Sequence, residues 1–156
     1  MGEVDFERHL EGNRIWHRFI SKEKTIHTAD AAKAAGVELH RLTKNLVSKS
    51  DRDENVLLIV PGDRKVDLRS AAEALSVRRV HLVSFAEAEK VSGYPPGATP
   101  SIGHRTPMRT VIDRSLLECE TIYCGGGSRD RLVELRTKDI IRLSNAIIAD
   151  ISKVQP

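Results

Sequence analysis

The chain has 156 residues, 40% of them hydrophobic and 30% charged, the size and composition of one compact domain with its own core. That apolar content excludes a disordered tail, and no apolar stretch approaches the roughly 18 residues a membrane-crossing helix requires. Twenty-five Lys and Arg against 22 Asp and Glu leave a formal net charge of +3, which permits contact with a phosphate backbone without demanding it.

Met1-Gly2-Glu3-Val4-Asp5 is acidic and lacks the basic-then-apolar order of a secretory leader. Phe6 stands where a myristoylation signal needs Ser or Thr, so a cytoplasmic protein with no membrane contact is expected. Phe6, Leu10, Trp16, Phe19 and Ile20 recur at roughly helical intervals and predict an amphipathic helix over 4–20, weakened at Gly12-Asn13. Thr28 is read as the N-cap of an Ala-rich helix over 29–35 that Gly36 stops. Residues 39–48 read as a strand in which Lys44 lies between Leu42 and Leu46. Val56 to Val60 form a continuous apolar run, a buried strand that ends in a Pro61-Gly62 turn. Asp67 or a neighbour opens a helix through Leu75, and 79–83 is the next strand. Ser84-Phe85-Ala86-Glu87 has the capping-box form and starts a two-turn helix that Gly93 ends.

The next segment, 93–104, holds three Gly and three Pro in twelve residues, a composition that excludes both helix and interior strand. Strands are predicted at 108–112, 121–124 and 132–135, with connections so short that pairing is antiparallel. Thr137 is read as the cap of a C-terminal helix carrying Ile140, Ile141, Leu143, Ile147, Ile148 and Ile151. The sum is a single α/β (α+β) domain, a mixed and strongly curved sheet of about six strands with surrounding helices.

Phe6, Trp16, Phe19, Phe85, Tyr94 and Tyr123 are the six aromatics, and none clusters. That argues against a base-stacking platform, and a nucleic-acid partner would be held by its backbone and one terminal group. Cys119 and Cys124 fit neither a CxxC redox pair nor a zinc half-site. An odd spacing along a strand sends them to opposite faces, so both are expected as reduced packing residues. The scattered histidines form no HExxH, and neither a metal nor another cofactor is expected.

No nucleophile elbow, Walker A loop or Rossmann fingerprint is present. Gly125-Gly126-Gly127 admits two readings. Its consecutive backbone N–H groups line an anion or a carbonyl oxygen, or it is a flexible hairpin turn into Leu132. The 93–104 loop is likewise either a rigid surface connection or a Pro-fixed loop whose glycines let a ligand approach the backbone. Lys44 shares strand parity with Leu42 and Leu46. A strand burying those leucines aims it inward, toward the phosphate or carboxylate of a ligand; the other reading is the solvent face.

Thr43-Lys44-Asn45-Leu46-Val47, Pro61-Gly62-Asp63, Gly93-Tyr94-Pro95-Pro96-Gly97-Ala98-Thr99-Pro100-Ser101-Ile102-Gly103, Val111-Ile112-Asp113 and Gly125-Gly126-Gly127 occur in that order. With them the chain resembles the YbaK-type aminoacyl-tRNA deacylases, related to the editing insertion domain of bacterial prolyl-tRNA synthetase. The similarity runs from about 28 to 150. It implies an editing domain over 25–156 with barrel-like sheet curvature, and a peripheral N-terminal helix over 1–24. The implied activity is hydrolysis, without a metal, of the ester joining a wrong amino acid to the 3′-terminal adenosine of a tRNA.

The resemblance implies that Lys44 holds the terminal nucleotide's phosphate while the loops surround the aminoacyl group. Lys44, Gly97 and Asp113 are the catalytic candidates. Asn45, Gly93, Ala98, Thr99, Pro100, His104, Gly125, Gly126 and Gly127 are the substrate-binding candidates. An aminoacyl ester is already activated, so a positioned water or a substrate hydroxyl or thiol, with backbone donors for the oxyanion, suffices without a triad. A cavity of limited volume then selects small amino acids by exclusion. The expected partners are the aminoacyl-tRNA acceptor end and a synthetase, with the oligomeric state open. A non-catalytic module that binds tRNA or a synthetase is the alternative.

Asn45 replaces the Thr that many such deacylases carry after the lysine. One branch, which removes alanine from proline tRNA, shares this Asn but has a histidine in the late strand, where this chain has Tyr123-Cys124-Gly125. His104 is foreign to the pattern and either acts on the leaving group or ends the loop. Asp113 either orients Lys44 or a loop amide, or is a turn residue.

Overall fold

The structure, a computed structural model, describes residues 3–155; Met1 and Gly2, on which part of the leader reading rests, lie outside them. In chain order it comprises α1 (Glu3–Gly12), β1 (His17–Ser21), α2 (Thr28–Ala35), a 3-10 turn at Leu39–Arg41, β2 (Thr43–Ser50), β3 (Asn55–Pro61) and β4 (Arg64–Val66). Then follow α3 (Leu68–Leu75), β5 (Val80–Leu82), α4 (Phe85–Ser92), β6 (Arg109–Asp113), a 3-10 turn at Arg114–Glu118, β7 (Thr121–Gly125), β8 (Arg131–Arg136), α5 (Thr137–Ser144), β9 (Ile147–Ala149) and β10 (Ser152–Val154).

These strands form three sheets: β5-β2-β3-β6-β9, β1-β8-β7 and β10-β4. The five-stranded sheet is mixed, antiparallel through β5, β2 and β3 and parallel through β3, β6 and β9. The expected mixed α/β domain is present, but its barrel-like closure is not. β6 and β7 do not pair, because the turn at Arg114–Glu118 carries the chain from one sheet to another. Between β2 and β7 the ladder shrinks to a single bridge, Leu42 with Tyr123. Of the ten strands, β4, β5, β9 and β10 are three residues long, too short to show a period.

The centre of the molecule is β3. Its Val56 to Val60 run is fully buried because both faces are covered. Leu57 and Ile59 pack in one cluster with Phe6, Leu10, Tyr94 and Ile112. Val56, Leu58 and Val60 pack in another with Ala71, Ala72 and Leu75 of α3. Each large side chain buried this way contributes about 1.5–3 kcal/mol. The caps at Asp67 and Ser84 act as their residue types predict: Asp67 accepts from the Arg69 and Ser70 amides, and Ser84 from the Glu87 amide. Thr28, by contrast, is the first residue of α2, and the N-cap position belongs to His27, whose side chain makes no capping bond.

Two predicted helices are helix–strand pairs. The helix expected over 4–20 ends at Gly12, where the Ile15 amide turns back to the Leu10 carbonyl. Residues from His17 then form β1, with Phe19 opposite Val133 of β8. Phe6 and Leu10 of α1 are fully buried in the main core, and β1 is hydrogen-bonded to β8. At the other end α5 stops at Asn145, in the left-handed region at φ 50°, and Ile147 and Ile148 continue as β9 beside β6. The Thr137 hydroxyl donates to the Cys119 carbonyl and does not cap α5. No helix among the described residues is long and apolar enough to cross a membrane.

Candidate active site

β2 alternates across the sheet. Thr43, Asn45 and Val47 share one face, and Lys44 shares the other with Leu46, which packs toward α3. A cavity of about 290 Å³ lies over this strand. It is bounded by Lys44 and Asn45 of β2, the segment leading into α2, Gly97 and Thr99 of the Gly/Pro loop, Gly125 at the end of β7, and Leu82 and Phe85 flanking the α4 N-cap.

Asn45 is held at both ends of its amide. Its Oδ1 accepts from Ser101 Oγ at 2.6 Å, and its Nδ2 donates to Thr43 Oγ1 at 2.9 Å. Thr43 in turn donates to the Tyr123 carbonyl at 3.1 Å. Lys44 is half-buried, and its ammonium donates to the Arg64 carbonyl at 2.7 Å. Burial pushes its pKa below the ordinary lysine value, and the charge of nearby Asp63 offsets part of that shift. In the structure a peptide carbonyl supplies the partner that an inward lysine requires.

The Gly/Pro loop is seated by close backbone contact. A Cβ on Gly97 would lie 2.7 Å from Ile26 Cα, and φ at this residue is +85°, so only glycine fits. A Cβ on Gly125 would fall 2.3 Å from the Ala98 carbonyl carbon. The Gly127 amide donates to the Ala98 carbonyl and the Gly126 amide to the Arg131 carbonyl. Gly126 and Gly127 thus spend their N–H groups on protein and do not form an open anion nest. The amides of Gly97 and Thr99, both lining the cavity, donate to no group among the described residues. Arg129 Nε pins the loop by donating to the Pro96 carbonyl at 2.7 Å.

Residues 22–143 match the aminoacyl-tRNA editing domain. The chain belongs to that family. This editing-domain protein is 25% identical over 136 residues to an Enterococcus faecalis protein with the provisional name Cys-tRNA(Pro)/Cys-tRNA(Cys) deacylase EbsC, covering 87% of this chain and 83% of that one. It is 28% identical over 131 residues to the multifunctional Ser/Thr-tRNA deacylase ProXp-y of Escherichia coli, covering 81% of this chain and 78% of that one. The crystal structure of a protein described only as hypothetical superposes with a TM-score of 0.88 at 26% identity, over 96% of this chain and 99% of that one.

Of the candidates read from sequence, the editing domain brings Lys44, Asn45, Gly97, Thr99 and Gly125 to one cavity. Gly93, Ala98, Pro100, His104, Gly126 and Gly127 do not line it. Asp113 is further off, at the end of β6. It is buried, and its Oδ1 accepts from the Ile151 amide at 2.8 Å while Oδ2 accepts from the Ser115 amide and hydroxyl. Its carboxylate thereby joins β6 to the C-terminal segment and orients neither Lys44 nor a loop amide.

His104 Nε2 lies 2.7 Å from the Pro100 carbonyl. A carbonyl only accepts, so this nitrogen carries the proton. Burial pushes the pKa of His104 down to about 4, and a neutral imidazole braces the loop. Both cysteines are unbridged. Burial pushes the Cys124 thiol up to about 11, so it packs as a neutral group. Among the described residues no three His, Cys, Asp or Glu side chains gather as a metal site. Sequence reasoning missed Thr43, Ser101 and Arg129 as supports of the cavity. Only Thr43 and Ser101 carried a signal, as the polar neighbours of residues already singled out.

Proposed function

We propose that this editing-domain protein is a cytoplasmic trans-editing hydrolase. It cleaves the ester between a wrongly attached small amino acid and the 3′-terminal adenosine of a tRNA. The observation that carries this reading is one cavity bounded by Lys44, Asn45, Gly97 and Thr99, in which the amides of the last two donate to no group among the described residues. In the reaction water adds to the ester carbonyl, the tetrahedral oxyanion takes hydrogen bonds from those amides, and the C–O bond breaks to leave the ribose hydroxyl and the free amino acid. Lys44, already stripped of part of its water, exchanges the Arg64 carbonyl for a phosphate of the terminal nucleotide, a charge-assisted bond stronger than the one it leaves. The substrate amino acid is bounded by Thr99, Gly125 and Asn45, walls that exclude bulky side chains.

The test is deacylation of a panel: proline tRNA charged with alanine, cysteine or proline, alanine tRNA charged with serine, and threonine tRNA charged with serine. We expect hydrolysis of one member above the spontaneous rate, falling about 100-fold in Lys44→Ala with the thermal melt nearly unchanged. A protein that binds tRNA or a synthetase and accelerates no member would be a binding module instead.

A further inference from the structure

Seven large hydrophobic side chains are exposed among the described residues, and three of them, Ile26, Leu82 and Phe85, line this one cavity, at 46%, 44% and 65% exposure. Such exposure places them at its mouth. They come from three separate places: the segment before α2, the end of β5 and the first residue of α4. Phe85 follows the capping Ser84, so its backbone is held by the helix start while its ring stands in solvent. The ring has no aromatic or cationic partner among the described residues. Apolar side chains exposed together at a cavity that also holds Lys44, Asn45 and Thr99 mark a surface that a ligand covers.

We infer that Phe85, with Leu82 and Ile26 beside it, stacks on the terminal purine base of the tRNA while the aminoacyl group occupies the cavity. The inference rests on the proposed hydrolase reading and adds the residue that grips the base. The geometry favours a base over a protein surface because of continuity. The aminoacyl ester and the base are carried by one ribose, so a substrate whose ester reaches the Gly97 and Thr99 amides leaves its base at the mouth. A flat ring presents an apolar face of the right kind to a purine, and one aromatic suffices for one base without the interleaved platform that the scattered aromatics argue against.

The experiment measures kcat and KM on the aminoacyl-tRNA that the panel identifies, for wild type, Phe85→Ala, Phe85→Tyr and Val154→Ala, an exposed hydrophobic away from the cavity. We expect Phe85→Ala to raise KM about 10-fold, the scale of one lost stack, Phe85→Tyr to restore it, and Val154→Ala to match wild type. On an acylated RNA whose terminal nucleotide lacks its base, the penalty of Phe85→Ala disappears. An unchanged KM, or an equal penalty on the baseless substrate, overturns the inference. Affinity for a fluorescein-labelled, uncharged RNA ending in CCA, read by anisotropy, separates this from failure of the hydrolase reading. With a flat deacylation panel, a Phe85-dependent loss of RNA affinity still supports the stack. RNA affinity indifferent to Phe85, with synthetase binding lost instead, overturns it.

Discussion

Ser101 Oγ donates a 2.6 Å hydrogen bond to Asn45 Oδ1, joining the Gly/Pro loop to the strand that carries Lys44. The bond reaches across 56 positions of sequence, and through Thr43 it continues to the Tyr123 carbonyl of β7. Ser101→Ala removes one neutral hydrogen bond and leaves a partly buried acceptor, a loss of about 1 kcal/mol. We expect a melting temperature lower by about 2–4 °C together with a raised KM for aminoacyl-tRNA. A variant with the wild-type melt and wild-type kinetics would show that the bond does not hold the loop.

Gly125→Ala tests the seat of that loop. A methyl group 2.3 Å from the Ala98 carbonyl carbon meets backbone, which cannot rotate away, so the 97–99 segment must shift. We expect a stability loss of about 2 kcal/mol or more by denaturant unfolding and a deacylation rate that falls further than stability accounts for. Gly12→Ala, with nothing within 4 Å of the added carbon, is the matched control and keeps both values.

Asp113→Asn separates a structural carboxylate from a catalytic one. Both oxygens accept from protein donors, and an amide in their place turns an NH2 toward one set of donors. Denaturant unfolding should show a loss of about 1–3 kcal/mol, while the folded fraction keeps its kcat. A drop in kcat with unchanged stability would place Asp113 in the chemistry.

His104 sets a pH dependence. Its folded-state pKa of about 4 lies below the ordinary 6.5, so between these values the unfolded chain binds the additional proton. The stabilisation is complete above about pH 6.5 and is lost as the pH falls toward 4. Thermal melts from pH 7.5 to 4.5 should decline more steeply in wild type than in His104→Gln, whose side chain does not titrate. Parallel curves would remove His104 as the cause.

Much of the fold was legible. Asp67 and Ser84 cap their helices because a short polar side chain reaches the amides two or three residues ahead, a purely local requirement. The five apolar residues from Val56 to Val60 announced a strand covered on both faces. Residues 93–104, with three prolines and three glycines, could only be a loop. The two helix–strand junctions were not legible. Phe19 and Ile20, like Ile147 and Ile148, extend an apolar spacing that fits either period, and the deciding partner is a distant strand, β8 in one case and β6 in the other. Within the site, the parity of Lys44 with Leu42 and Leu46 marked it for a closer look. Nothing local revealed that Arg64 and Asp63 would face it, since the chain makes a full hairpin between them.

The sequence by itself determined the local conformations: where the helices capped by Asp67 and Ser84 start, where glycine and proline forbid regular structure, and which strand is central. Those outcomes follow from forces acting over a few residues. Only the tertiary structure decided that the sheets stay open, that Asp113 serves the C-terminal segment, that Gly126 and Gly127 spend their amides on protein, and that Phe85 stands at the rim of the cavity. Each of these depends on which backbone donor or apolar face meets a segment tens of residues away, and hydrogen bonding and burial settle that only once the chain has packed.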